Sequence, residues 1–430
     1  MNIIKYPNPN QWEEILKRPE IRSEDLFGRV QEILDKVRTE RDNALFEFNE
    51  KFDGVKLNSL QVSVEEINDA TNKVSKELKE AIQVAHQNIY KFHSSQKTEE
   101  EKIETMPGVF CWRKSISIEK VGLYIPGGTA PLFSTVLMLS IPAKIAGCKE
   151  IILCTPPNKQ GEINPAILYA AQIAGVNKIY KTGGAQAIAA MAYGTESIPK
   201  VYKIFGPGNQ YVTAAKQLVS LKEVAIDMPA GPSEVAVLAD ESANPAFVAA
   251  DLLSQAEHGI DSQVILVTTD EELISKVEEE IEKQLLALPR KEMTEKTLIN
   301  SKIILANSID EGMKIINAYA PEHLILEVKD YHQVANQVIN AGSVFLGSYT
   351  PESAGDYASG TNHTLPTNGH ARAYSGVSLD SFVRKTTFQE ITPKGLINLG
   401  PTVEVLAKNE LLDAHKNAVS IRLKTIQEKR

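Results

Sequence analysis

From Val121 onward the chain repeats one unit: a short apolar run, a turn with Gly or Pro, then a helical pattern. "VGLYIPG" precedes "APLFSTVLMLSIPAKIAG", and "EIILCTPP" precedes "NPAILYAAQIAG". "VNKIYKTG" precedes "GAQAIAAMAYG", and "VYKIFGPG" precedes "NQYVTAAKQLVS". Strands joined through helices become parallel neighbours, because a parallel pairing needs a crossover long enough to hold a helix. A second series begins near Ser233 with "SEVAVLAD" and "PAFVAADLLSQAEHG", continues through "SQVILVTTD" and "KIILAN", and reaches "HLILEV". Two such series predict an α/β protein with two doubly wound domains and a ligand cleft between them.

The flanks differ. Residues 1–110 read as mostly helical, with Ser23 as an N-cap for "EDLFGRVQEILDKVRTERDNALFEF". From about residue 342 the chain turns to Gly, Ser, Thr and His in "AGSVFLGSYTPESAGDYASGTNHTLPTNGHARAYSG". Loops of that length in compact proteins are usually functional or disordered. The last fifty or so residues return to helical patterns.

Several function classes fall away on composition. The net charge is -9 over 430 residues, with no basic run or basic-aromatic stripe suited to nucleic acid. Apolar stretches such as "STVLMLSIPAKIAG" are too short and interrupted to span a bilayer, and "MNIIKYPNPNQW" does not read as a signal peptide. Cys111, Cys148 and Cys154 form no CxxC pair, which fits a reducing cytosol and no thiolate zinc site.

Eight histidines remain as candidates for chemistry. His86 and His93 fall in a polar helical stretch and are expected in solvent, as is His332 on a helix surface. In "SQAEHG", Gln255 and His258 are three apart, which places both on one face of a helix end. They are either polar residues closing a helix before Gly259, with His258 near the dipole's negative end, or a pair of metal ligands. In "SAGDYASGTNH", Asp356 and His363 are either an Asx-turn and a surface imidazole or members of a metal site. The turns "YIPGG", "FGPGN" and "MPAGPSE" match neither GxGxxG nor GxxxxGK[ST], so spacing alone assigns them no dinucleotide or phosphate.

Taken in order, "YIPGGTAPLFSTVLM", "TGGAQAIAAMAYGT", "FGPGNQYV", "DMPAGPSEV", "DLLSQAEHG", "YAPEHL" and "GSYTPESAGDYASGTNHTLPT" closely resemble the histidinol dehydrogenase family. The resemblance runs from about residue 25 to the C-terminal helix. It implies an NAD-dependent, zinc-containing enzyme that oxidises L-histidinol to L-histidine through an aldehyde. Carried onto this sequence, the zinc ligands are Gln255, His258, Asp356 and His415. Substrate contacts fall on Ser233, Gln255, His258, His323, Asp356, His363, Glu410 and His415, and NAD contacts on Tyr124, Gln186 and Asn209.

The resemblance also implies an organisation. It comprises an N-terminal segment (1–24), a first Rossmann-like domain (25–123 with 234–377), a second that binds NAD (124–233), and a C-terminal dimerisation arm (378–430). The family's homodimer is intertwined, so the arm's Glu410 and His415 would complete the partner's site.

It further accounts for the acid and imidazole side by side in "YAPEHLIL". Oxidising an alcohol to an acid takes two hydrides and repeated deprotonations, which suit a neutral imidazole. His323 is thus expected as the base for both oxidations and Glu322 as the group that activates water. Strand neighbours point to opposite faces, so the pair is expected where the backbone turns, next to Pro321. Cys154, although a thiol could support a thiohemiacetal route, is expected to be a buried strand residue. A zinc hydrolase using Glu322, or a two-domain binding protein without catalysis, would share many of these residues and form no NADH.

Overall fold

The computed structural model describes residues 1–19, 26–127, 130–229 and 231–429. Ser23, and Gly128, Thr129 and Ala230 within the motifs quoted above, lie outside the described residues. In chain order the strands are β1 (Asn2–Lys5), β2 (Ile103–Met106), β3 (Val109–Ser117), β4 (Lys120–Tyr124), β5 (Glu150–Thr155), β6 (Lys178–Lys181) and β7 (Lys203–Phe205). They continue with β8 (Ala225–Ile226), β9 (Glu234–Ala239), β10 (Gln263–Thr268), β11 (Lys302–Leu305), β12 (His323–Glu327), β13 (Ser343–Leu346) and β14 (Val383–Ile391).

Contacts divide the chain into two units, Met1–Gln96 with Ile118–Phe382, and Lys97–Ser117 with Val383–Arg430. The first unit holds both parallel sheets. One runs β6-β5-β4-β7-β8, the strand order of a doubly wound nucleotide fold with its switch point between β4 and β7. The other runs β1-β11-β10-β9-β12-β13, the same order with β1 added at the edge and the switch point between β9 and β12. Strands β9 and β10 are buried at every position, which is why they read as continuous apolar runs rather than alternating ones.

One expectation is extended and two are corrected. First, residues 1–110 are mostly helical, as expected, but they also supply strands. β1 pairs with β11, while β2 and β3 form an antiparallel sheet with β14 in the second unit. Second, the helices between Leu26 and Ser94, assigned above with 234–377, pack chiefly on the five-stranded sheet. Val30, Leu34, Ala44 and Leu45 share a core with Tyr124, Ile152 and Ile188. Ile67, Ile82 and Ile89 share another with Val121, Leu137 and Leu153. An amphipathic helix shows in sequence which face it buries, but not which sheet receives it. The proposed boundary after residue 123 also cuts β4 before its last residue, Tyr124. Third, the arm's unit begins at Val383 and opens with a strand before it becomes helical. Pro393–Asn409 and Asp413–Glu428 form a helical hairpin, turned at Glu410–Leu412, where Leu411 has a φ of 59°.

His93 is also not in solvent. It is buried, with Nδ1 3.2 Å from the Gln96 side-chain oxygen, and burial pushes its pKa down. Cys154 is fully buried in β5, and burial pushes its thiol far from the reactive thiolate. Among the described residues no helix is long and apolar enough to cross a membrane.

Candidate active site

Two places in the first unit gather the candidate residues. The first lies at the carboxyl edge of the five-stranded sheet. Tyr124 ends β4, Gln186 sits in the first turn of the helix Gly184–Tyr193, and Asn209 caps the helix Gln210–Ser220 through Tyr211 N and Val212 N. All three line one cavity of about 1330 Å³, together with Asp53, Pro156 and Gly184. Its position at the switch point is where an open α/β sheet binds ligands.

Two strand-to-helix turns here, "KTGGAQ" and the previously unassigned "FGPGN", have physical reasons for glycine. Gly184 has a φ of 62°, and a Cβ there would come within 2.7 Å of the Gln186 side-chain oxygen. Gly206, φ 127°, passes so close to the Tyr124 carbonyl that a Cβ would collide with it.

The second place lies at the amino edge of the six-stranded sheet, beside its β9/β12 switch point. Glu234 opens β9 and His323 opens β12, with His323 in register with Val235. Glu322 therefore lies beside Glu234, whose backbone N–H donates to Glu322 Oε2 at 2.9 Å. Ala320, φ 54°, ends the preceding helix in a left-handed conformation, and the chain turns through Pro321 into Glu322. Both side chains of the pair are buried, with Glu322 Oε2 3.6 Å from His323 Nδ1.

A helix that returns the chain to the next parallel strand runs against the strands, so its carboxyl end reaches the amino edge. The helix Pro245–Ala256 does this and delivers Gln255, with His258 two residues beyond its end. Gln255 is fully buried, its amide nitrogen 2.9 Å from His323 Nδ1. His258 is exposed, with Nδ1 3.3 Å from Ser233 Oγ.

The turn-rich stretch supplies Asp356 from the short helix Glu352–Tyr357, its Oδ1 3.3 Å from His323 Nε2. His363 Nδ1 donates to the Asp356 carbonyl at 2.8 Å, and Thr135 Oγ1 lies 3.0 Å from its Nε2. Both nitrogens of His363 are thus engaged. This long loop is ordered by such contacts, including Asn362 Nδ2 donating to the Met138 carbonyl at 2.6 Å.

The electrostatics follow from packing acids and imidazoles together out of water. Burial pushes the Glu322 carboxyl up, more than its pairing with His323 pulls it down. Burial alone would lower the His323 pKa, but the carboxylates of Glu322, Glu352 and Asp356 outweigh it and raise the value. Burial alone would raise Asp356, but the imidazoles of His323, His363 and His258 hold it down.

His323 Nδ1 lies 3.2 Å from the Glu234 carbonyl, which can only accept, and 2.9 Å from the Gln255 amide nitrogen, which can only donate, so the two contacts call for opposite tautomers. Nε2 faces Asp356 Oδ1 at 3.3 Å. Gln255 Oε1 and Asp356 Oδ1 are buried oxygens without a hydrogen-bond partner. Two such oxygens beside a helix carboxyl end favour a cation.

The structure therefore brings Ser233, Gln255, His258, Glu322, His323, Asp356 and His363 into one cluster. Glu410 and His415 belong to the second unit, where both are exposed on the helical hairpin. Among the described residues of the single chain no group of three His, Cys, Asp or Glu side chains is arranged to hold a metal ion.

Sequence reasoning missed Glu234 and Glu352. Glu352 is buried, accepts from Ser254 Oγ at 3.1 Å and leaves Oε2 without a partner. For Glu234 a signal existed: an acid opening the apolar run "SEVAVLAD" must find a partner once buried.

Comparison with known proteins adds the family. The model described as "Histidinol dehydrogenase" matches residues 16–423. A curated relative from Bacteroides thetaiotaomicron named "Histidinol dehydrogenase" is 67% identical, covering 99% of this chain and 100% of its own length. The Arabidopsis thaliana protein "Histidinol dehydrogenase, chloroplastic" is 55% identical over 98% of this chain and 90% of its own. The crystal structure of histidinol dehydrogenase from Elizabethkingia anophelis superposes with a TM-score of 0.98, at 56% identity and 99% coverage of both chains.

Proposed function

Because this chain belongs to the histidinol dehydrogenase family, we propose that it oxidises L-histidinol to L-histidine through L-histidinaldehyde, using NAD and one zinc per active site in the cytoplasm. The observation that carries this reading is the cluster at the amino edge of the six-stranded sheet. It places the Glu322–His323 pair against two of the four proposed metal ligands, Gln255 and Asp356.

Gln255, His258, Asp356 and His415 would hold the metal. The orphaned oxygens of Gln255 and Asp356 fit such a role, and Ser233 beside His258 Nδ1 would fix that ring for coordination through Nε2. When bound, zinc supplies a Lewis-acid anchor for the substrate's imidazole and amino nitrogens. NAD, held by Tyr124, Gln186 and Asn209 in the larger cavity, supplies the hydride acceptor for each oxidation.

This chain's own residues manage the protons. His323 Nε2 takes the alcohol proton in the first oxidation and the hydrate proton in the second. As a base it must start neutral, and the carboxylates around it oppose that. A cation held at Asp356 offsets part of their charge. Glu322 takes a proton from the water that adds to the aldehyde. Ser233, His363 and, from the partner's arm, Glu410 complete the contacts to substrate in a homodimer with shared sites.

The metal part of the reading is tested by chelation. Protein stripped of metal should lose turnover of histidinol and regain it with added zinc, at one bound zinc per site. Full activity in protein shown to be metal-free contradicts it.

A further inference from the structure

We propose that Arg18 and Glu234 form a positioning pair that sets the geometry of Glu322 and His323; the inference rests on reading those two as the working acid and base. Glu234 touches both through its main chain. Its N–H donates to Glu322 Oε2 at 2.9 Å and its carbonyl lies 3.2 Å from His323 Nδ1. Any shift of this one peptide segment therefore moves the hydrogen-bond partners of both side chains together.

Arg18 ties that segment to the turn that carries the pair. Its Nε donates to Glu234 Oε1 at 2.5 Å and its Nη2 to Glu234 Oε2 at 2.8 Å, a bidentate fork. The same Nη2 donates to the Tyr319 carbonyl at 2.8 Å and lies 3.4 Å from the Ala320 carbonyl, just ahead of Pro321–Glu322–His323. The guanidinium also stacks over the Tyr319 ring, 4.1 Å from its centroid.

One planar cation thus links the start of β9 to the entry of β12. The backbone N–H of Asn368 completes the Glu234 carboxylate with a bond to Oε1 at 2.8 Å. Buried ion pairs add little net stability compared with apolar packing. A directional fork that joins two strand entries is better suited to holding geometry.

Arg18 can be reached from solvent. It lines a cavity of about 860 Å³ with Trp12, Lys17, Pro232, Asn368 and Arg372. Truncating the side chain leaves room there for a guanidinium ion supplied in the buffer.

The test uses the full-length enzyme with Arg18→Ala, Arg18→Lys, Glu322→Gln and His323→Asn. Displacing catalytic groups by about 1 Å costs roughly a hundredfold, and kcat of Arg18→Ala should fall by that order. KM for NAD and NAD binding by titration should stay at wild-type values, because the cavity lined by Tyr124, Gln186 and Asn209 is elsewhere. Millimolar guanidinium should restore part of kcat in Arg18→Ala and none in Arg18→Ala/Glu234→Gln. Arg18→Lys keeps the charge but not the fork, and should be intermediate with an unchanged melting temperature.

A folded Arg18→Ala with kcat within about twofold of wild type overturns the inference at the scale set by that estimate. So does loss of NAD binding and melting temperature in step with kcat, which would mark a purely structural role. If Arg18→Ala does not fold, wild-type kcat in Arg18→Lys overturns it. Full activity in Glu322→Gln and His323→Asn would instead remove the reading of the catalytic pair.

Discussion

Glu322→Gln should leave the alcohol step running while oxidation of supplied histidinaldehyde collapses. The amide is close in shape to the carboxylate, and its oxygen can still accept from the Glu234 N–H, so the local fold is spared. What it loses is the ability to take a proton. Loss of a positioned general base typically costs about 10²–10⁴-fold, and that loss should appear in the half-reaction that consumes water. His323→Asn removes the proposed base common to both steps and should slow both by a similar factor. Equal loss of the two half-reactions in Glu322→Gln, measured with alcohol and aldehyde supplied separately, contradicts the division of labour.

The second large effect is recovery of activity. His258→Ala and His415→Ala should each be inactive alone, since each removes a proposed metal ligand. Refolded together, about half of randomly paired dimers are mixed. If His415 serves the partner's Gln255, His258 and Asp356, a mixed dimer has one doubly damaged site and one intact site. Roughly a quarter of wild-type activity should return. The arm's composition supports a docked role. Val405, Leu406, Leu411 and Ile421 are 60%, 60%, 86% and 56% exposed in the single chain, an apolar load that favours burial. No recovery in verified heterodimer contradicts the shared site.

How far these features could be read beforehand differs by kind. The parallel sheets were legible because "EIILCT" and "QVILVT" each carry four successive buried apolar residues, Ile151–Cys154 and Val264–Val267. The β3–β14 ladder was not. "VFCWRKSIS" and "VRKTTFQEI" are polar-rich, and most of their residues are exposed or half-buried, so they carry a weak strand signal. His93 was misplaced because its neighbours in sequence are polar, although its own face of the helix turns inward.

The candidate site shows the same limit. Glu322 beside His323, with a turn at Pro321, could be argued from adjacency and strand geometry. Glu322 accepting from Glu234, 88 positions earlier, depends on the register of β12 against β9, which no local pattern states. The motif resemblance supplied the set of residues, and the topology supplies the reason they meet: strand openings, a helix end and a loop converge on one edge of one sheet.

The most direct measurement is the yield of NADH per histidinol consumed by the wild-type protein supplied with NAD and zinc. Two successive hydride transfers from one substrate require two NADH and one histidine. Two NADH per histidinol, with histidine as the product, is the predicted result; one NADH with aldehyde released, or none at all, would contradict it.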